Sequence, residues 1–144
     1  MGISDKLFQL KSEKADANLK EGIEFMEKNK LRKEVVSLPS GLQYEIQIDG
    51  KGDKPKVTQT VTCHYHGTLL NGTVFDSSVK RGQPASFPLN QVISGWTEAV
   101  QLMPVGSKWK LFLPPNLAYG NQQVGSHIGP NSTLIFEVEL LGIK

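Results

Sequence analysis

The sequence predicts an α+β domain: four or five antiparallel strands with one helix covering a sheet face, preceded by a separate N-terminal helix. Three observations carry this. Residues 3–34 hold no proline and one glycine, Gly22, and are rich in Lys, Glu, Ala and Leu, a helix-favouring mixture. From Leu38 onward, short runs of alternating apolar and polar residues are separated by Gly, Pro, Asn and Asp turns. Within that second part, Ser94 to Met103 alone reads as a helix, ended by Pro104 and Gly106.

In the N-terminal helix, Phe8, Ala15, Leu19, Ile23 and Met26 recur at roughly helical spacing, and Ser4 or Asp5 is the expected cap. Ser12 breaks the stripe and no clean heptad forms, so a long coiled coil is unsupported. Two readings stand side by side: a helix packed on its own domain, or part of a dimerisation arm.

Leu42, Tyr44, Ile46 and Ile48 alternate with Gln43, Glu45 and Gln47, the pattern of a half-buried strand. A loop follows, Asp49-Gly50-Lys51-Gly52-Asp53 with Pro55. In the next strand Val61, Cys63 and Tyr65 face one way, while Thr62, His64 and His66 face the other. Asn71-Gly72 predicts a type I′ hairpin returning through Val74 and Phe75. Trp109, Leu111 and Leu113 alternate with lysines, and Leu134, Phe136, Val138 and Leu140 mark a last strand over 133–143. Between them, Pro114 to Ser132 is a long Pro/Gly/Asn loop, of a length more often functional than filler.

The chain of 144 residues is long enough for one cored domain with a modest appendage. Sixteen basic and fourteen acidic residues leave a net charge of +2, too near balance to argue for nucleic acid. Cys63 is the one cysteine, so no internal disulfide forms. No apolar run reaches membrane-spanning length, and no signal-peptide core follows Met1. The expected compartment is therefore the cytoplasm, or the periplasm if a leader was removed.

Residues 72–96 carry the chemistry. Phe75-Asp76, then Phe87, then Val92-Ile93, then Trp96 at a helix start set one carboxylate among apolar rings. That composition suits an apolar, weakly polar guest such as a prolyl peptide bond. Arg81 stands five residues after Asp76 and would keep it ionised. The plainer readings are a turn-forming Asp and a core Trp. Tyr119 is a loop aromatic whose hydroxyl either points into a cavity or belongs to a ring that packs its own loop. No second catalytic carboxylate, nucleophile elbow, phosphate loop or HExxH pattern is present. His64 and His66 share a face, but Cys63 points away and His127 lies far off, so cross-strand or solvated histidines are expected rather than a metal site.

Taken together, SGLQYEI, VTCHYHGTLLNGTVFDSS, VISGWTEAVQLMPVGSKWKLFLPPNLAYG and IGPNSTLIFEVELL resemble FKBP-type peptidyl-prolyl cis-trans isomerases, the bacterial Mip-related group in particular. The resemblance runs from about Val36 to Lys144, and EGIEFMEKNK resembles the helix preceding the catalytic domain in Mip-like proteins. It implies a curled antiparallel five-stranded sheet wrapped around one short helix, divided as a helical extension (1–35) and an isomerase domain (36–144). It implies a pocket walled by Tyr65, Phe75, Phe87 and Phe136, floored by Trp96 and entered past Val92 and Ile93, with the Ile93 N–H binding a guest carbonyl. Ile128 would belong to a flap. Asp76 and Tyr119 would be the catalytic polar groups, with Arg81 in support. The implied partners are proline-containing polypeptides and macrolides such as tacrolimus or rapamycin; no cofactor or metal is implied. The dimerisation-arm reading of the N-terminal helix would add a homodimer. The implied activity is rotation of Xaa-Pro bonds during protein folding. The alternative is a proline-peptide or macrolide binding module with little turnover. Ala85, where a bulky side chain is common, and His127, where an apolar one is common, depart from the better-known members.

Overall fold

The computed structural model describes residues 3–144. Helix α1 (Ile3–Asn29) is followed by strands β1 (Val35–Ser37), β2 (Gln43–Ile48), β3 (Thr60–Leu69) and β4 (Val74–Ser77). Then come the short helix α2 (Ser78–Arg81), strand β5 (Ala85–Pro88), helix α3 (Ser94–Val100), and strands β6 (Lys108–Leu113) and β7 (Leu134–Ile143). All pairings are antiparallel, in the order β1-β2-β6-β7-β3-β4, with β5 also on β3. The expected curled sheet is thus present and is divided into seven strands rather than five. The three-residue β1 is too short to announce itself by alternation, and β5 is legible only through its pairing.

Alternation assigns the core as expected. Val61, Cys63, Trp109, Leu111, Leu113, Leu134, Phe136, Val138 and Leu140 are buried, together with Trp96, Ala99 and Val100 of α3. Burial pushes the Cys63 thiol up to about 12, which keeps it protonated. Helix α3 begins at Ser94 as expected, but its cap position is Ile93, which makes no side-chain cap bond. It closes at Val100 rather than Met103, because the last residues turn toward Pro104.

The β3–β4 connection is not a type I′ turn. Leu70 and Asn71 are its central residues and neither has positive φ, whereas Gly72 has φ 90°. Gly72 N–H donates to Leu69 O at 3.0 Å, and Leu69 N–H to Thr73 O at 2.9 Å. This is the three-residue loop in which the glycine occupies the left-handed bulge position. The Leu69–Thr73 pairing places Asn71-Gly72 one position later than a type I′ turn needs, and at the central positions now taken by Leu70 and Asn71 the bulky Leu70 favours ordinary negative φ.

Strand β3 is split on one side. Its first half pairs β5 (Thr60 to Cys63) and its second half pairs β4 (His66 to Thr68). Tyr65 falls in the gap, and Ser78 closes it: Tyr65 N–H donates to Ser78 Oγ at 2.7 Å, and Ser78 Oγ lies 3.3 Å from Tyr65 O. The same hydroxyl meets His64 Nδ1 at 2.9 Å, and Ser77 Oγ meets His66 Nδ1 at 2.9 Å. The histidines are therefore cross-strand partners of serines, and no metal-ligating cluster exists among the described residues.

Helix α1 packs on its own domain, with only Ala15 and Met26 of the expected stripe turned inward among the described residues. Leu19 and Ile23 are 39% and 53% exposed. Phe8, Ser4 and Asp5 lie outside the described side chains. The inward face is Ala15, Asn18, Gly22, Phe25, Met26 and Asn29. A Cβ on Gly22 would collide with Thr133 Oγ1, so the glycine is what lets helix and sheet approach. Phe25 meets Phe112 with ring centres 5.9 Å apart. Asn29 Nδ2 donates to Gln43 Oε1 at 2.9 Å, and Gln43 Nε2 donates to Met26 O at 3.0 Å. The buried face is held by amides whose partners lie on other elements, which a hydrophobic count cannot see. No described helix is long and apolar enough to cross a membrane.

Candidate functional site

Between α3 and the concave sheet face lies a cavity of about 600 Å³, within the range of small-ligand sites. Tyr65, Phe75, Asp76, Phe87, Val92, Ile93, Trp96, Tyr119, Ile128 and Phe136 all line it. The sequence thus named ten of its residues, from six separate segments. Arg81 reaches the rim from outside.

Trp96 is the floor. Its ring meets Tyr65, Phe87 and Phe136 edge-on, with centroids 5.5, 5.2 and 5.4 Å away. Phe75 meets Phe136 at 5.4 Å and 89°. Edge-to-face pairs of this kind are worth roughly 0.5–1.5 kcal/mol each beyond their buried area. The rings therefore hold one another open around a void instead of collapsing into it. Gly67 makes the Phe75–Phe136 corner possible, since a Cβ there would stand 2.6 Å from Phe75 Cζ and 2.9 Å from Phe136 Cε1. Sequence reasoning passed over Gly67; a glycine inside a β-branched and aromatic strand is the signal that marks such a close approach.

The polar side of the rim is one network. Asp76 is the penultimate residue of β4, and Ser77, its last, caps α2 by accepting from Lys80 N–H. Gly82, with φ 74°, ends that single turn, so Arg81 swings back over the acid. Arg81 is hydrogen-bonded and ion-paired to Asp76 Oδ1. Tyr65 Oη donates to Asp76 Oδ2 at 2.8 Å and accepts from Arg81 at 2.9 Å. The guanidinium also stands over the Tyr65 ring, 5.7 Å from its centre. Burial works to raise the Asp76 carboxyl, but the bonds from Arg81 and Tyr65 outweigh it and hold the group below its ordinary value. Asp76 is thus an anion and an acceptor at neutral pH. Tyr119 is pushed the other way, chiefly by burial and then by the Asp76 charge, so its hydroxyl stays protonated and able to donate. Tyr65 is likewise raised, by burial first.

The long loop divides into a 3₁₀ turn (Pro115–Leu117), the segment bearing Tyr119, and a flap. In the flap, Val124 and Ile128 exchange backbone bonds of 2.8 and 3.2 Å around Gly125, whose φ is 62°. Ile128 is 5% exposed, while most of the tip between Asn121 and His127 is open. Val124, Ser126 and His127 also face the cavity, as does Gln91 from the 3₁₀ turn before Val92. Gln91 carried no sequence signal. The Ile93 N–H has no protein acceptor among the described residues, and Ile93 lines the cavity.

Residues 51–141 match the model of the FKBP-type peptidyl-prolyl cis-trans isomerase. The chain belongs to that family. Residues 1–46 match the domain amino-terminal to FKBP-type peptidyl-prolyl isomerase, which accounts for α1 and overlaps β1 and β2. Among curated relatives of this FKBP-type chain, the outer membrane protein MIP of Legionella longbeachae is 53% identical over 92% of the chain and 57% of that protein. The FKBP-type 22 kDa peptidyl-prolyl cis-trans isomerase of Escherichia coli is 49% identical over 98% of the chain and 68% of that protein. The crystal structure of FkpA from Escherichia coli superposes with a TM-score of 0.94 at 43% identity, covering 98% of this chain and 66% of the other. The chain therefore spans about half to two thirds of the length of these relatives.

Of the two departures from the better-known FKBP pattern, His127 faces the cavity from the flap. Ala85 sits in β5 opposite Cys63, outside the cavity lining.

Proposed function

We propose that this chain is a peptidyl-prolyl cis-trans isomerase that rotates Xaa-Pro bonds in polypeptides during folding, by non-covalent stabilisation of the twisted amide. The observation that carries the reading is an aromatic-walled cavity with one ionised, fully engaged carboxylate. The Asp76 carboxylate, ionised and held by Arg81 and Tyr65, is not free to give a proton or to attack, so bond cleavage finds no agent in it. Rotation needs neither.

A planar amide is held by resonance, with a barrier of roughly 18–20 kcal/mol. At the twisted transition state the nitrogen lone pair is localised and charge separation falls. Walls formed by Tyr65, Phe75, Phe87, Trp96 and Phe136 disfavour the dipolar planar amide more than the twisted one, which is differential binding. The Ile93 N–H holds a guest carbonyl, Val92 borders the same entrance, and Ile128 covers the guest. The Tyr119 hydroxyl donates to the carbonyl in its rotated position. Asp76, kept anionic by Arg81 and Tyr65, acts through its field on the turning dipole. A thousandfold acceleration asks about 4 kcal/mol of these effects together.

Two-dimensional NMR exchange on Xaa-Pro tetrapeptides tests the reading. Wild type should broaden or cross-link cis and trans signals at micromolar enzyme, and Tyr119→Phe should lower the catalysed rate without loss of fold. Exchange no faster than in buffer would leave only the binding-module alternative, in which proline segments or macrolides such as rapamycin bind without turnover. Titrating rapamycin into the same sample separates the two.

The helical extension (1–35) and the isomerase domain (36–144) divide these roles, with the pocket wholly in the second. Exposed Leu19 and Ile23 on α1 support a homodimer through that helix, which light scattering on the full chain checks. The chain acts in the cytoplasm or, with a leader removed, in the periplasm. A relative named an outer membrane protein favours the periplasmic arm, and cell fractionation decides it.

A further inference from the structure

The N-terminal helix touches the pocket's flap. Asn18 Nδ2 donates to Pro130 O at 2.8 Å, across 112 residues of sequence. Asn131 Nδ2 donates to Ala15 O at 3.4 Å. Between them, Gly129 lies directly against the helix: a Cβ there would stand 3.0 Å from Asn18 Nδ2 and 3.0 Å from Lys14 Cε. Gly129 and Pro130 are buried, and they follow Ile128 immediately.

These bonds hold one foot of the flap. Asn131 N–H donates to Gly120 O at 2.8 Å, closing the loop base next to Tyr119, and Ser132 Oγ donates to Gly129 O at 2.8 Å. Asn131 takes a left-handed φ of 57°, so the chain turns sharply at the point where the helix grips it. The flap tip is fixed by the Val124–Ile128 exchange, by Gln122 N–H donating to Tyr119 O at 3.2 Å and by a long Gln123 Nε2 to Gly125 O bond of 3.4 Å, all local to the loop. Ile128 is thus positioned from below, by a foot whose outer contact is α1.

We propose that Asn18 is a positioning residue for the flap: by holding Pro130 it sets where Ile128 meets the substrate, so that docking of α1 tunes substrate affinity. The proposal rests on the isomerase reading for its substrate. It makes α1 more than an appendage, since anything that lifts the helix, such as a partner seated on it, would loosen the lid of a pocket that it does not line.

The test compares Asn18→Ala, Asn18→Asp and the exposed control Lys20→Ala in the full chain. Ala is a better helix former than Asn, so any loss in Asn18→Ala cannot come from a weaker helix. Losing one neutral hydrogen bond predicts a roughly fivefold rise in KM for an Xaa-Pro tetrapeptide, with kcat within about twofold. Asn18→Asp, which sets a carboxylate against a carbonyl, should exceed it, and Lys20→Ala should match wild type. Amide hydrogen exchange at Ile128, Gly129 and Asn131 should speed up by a similar factor while β3, β6 and β7 keep their protection. Unchanged KM in both Asn18 variants, with or without a looser flap, overturns the proposal. So does a loss of protection spread evenly over the sheet. If wild type itself shows no turnover, the isomerase reading fails; rapamycin affinity and flap exchange in the same variants then decide the brace, and equal values in all of them overturn it.

Discussion

Gly67→Ala is the sharpest test of how the pocket is built. The glycine has an ordinary strand backbone, so alanine meets no φ penalty there. Space decides the outcome. The new methyl would stand 2.6 Å from Phe75 Cζ and 2.9 Å from Phe136 Cε1, whereas ordinary contact begins at 3.4 Å. One or both rings must retreat by most of an ångström. Phe136 is buried against Trp96, so Phe75, which is half-buried, is the ring expected to yield. Overpacking of this kind costs about 1–3 kcal/mol, a fall in Tm of about 3–12 °C for a chain of this length. The catalytic effect should be larger in proportion, because a misplacement near 1 Å can cost on the order of a hundredfold in rate. NMR exchange on an Xaa-Pro peptide gives kcat/KM, and a thermal melt gives stability on the same sample. A variant that melts lower yet keeps kcat/KM within twofold of wild type would refute the idea that the edge-to-face walls must stand where they do.

Asp76→Asn should reveal the pH window of the rim network. Because the folded carboxyl is held below its ordinary value, its contribution is complete above the unfolded value of about 3.9 and is lost as pH falls through the folded one. The Tm difference between wild type and variant should therefore be flat from pH 8 to 5 and shrink below about 4. Both Asp76 and Arg81 are around half exposed, so solvent screening keeps the difference small. A difference that grows toward acid would reverse the sign argued here. Gly22→Ala gains about 1 kcal/mol in helix propensity yet should destabilise the chain, since the methyl meets Thr133; a higher Tm would show that α1 is not seated as described. Cys63, buried and pushed up to about 12, should resist Ellman's reagent at pH 8 until the chain is unfolded, and prompt reaction in the native state would contradict its burial.

Much of the fold was legible because alternation and burial coincide wherever a strand has one wet face. Strands β3, β6 and β7 are of that kind; β2 is not, since Gln43 is buried under α1 while Ile46 and Ile48, expected inside, are 45% and 51% exposed. Part of the pocket was legible too, in the rings and one acid between Phe75 and Trp96, whereas Tyr65, Ile128 and Phe136 entered it only through the resemblance to FKBP-type isomerases. What escaped the sequence depends on partners far along the chain. Asn18, Gly22 and Asn29 face inward while Leu19 and Ile23 face out, because amides and a glycine docking on a sheet leave no hydrophobic trace. The turn was misjudged from Asn71-Gly72 alone, because its type depends on the strand register that pairs Leu69 with Thr73 and makes Leu70 part of the loop. The serine partners of His64 and His66 follow from the β3–β4 pairing and the adjoining α2, not from the histidines' own spacing.

The gap in β3 has a consequence for how such a chain can vary. Since the Ser78 hydroxyl satisfies the Tyr65 peptide, the stretch from Val79 to Pro84 owes no hydrogen bonds to a neighbouring strand. It can lengthen, shorten or change charge without shifting the register of β4 or β5. Yet it carries Arg81 and stands at the mouth of the pocket. Here the rim is free to diversify on an unaltered scaffold, so relatives that differ in what they admit need not differ in how they fold.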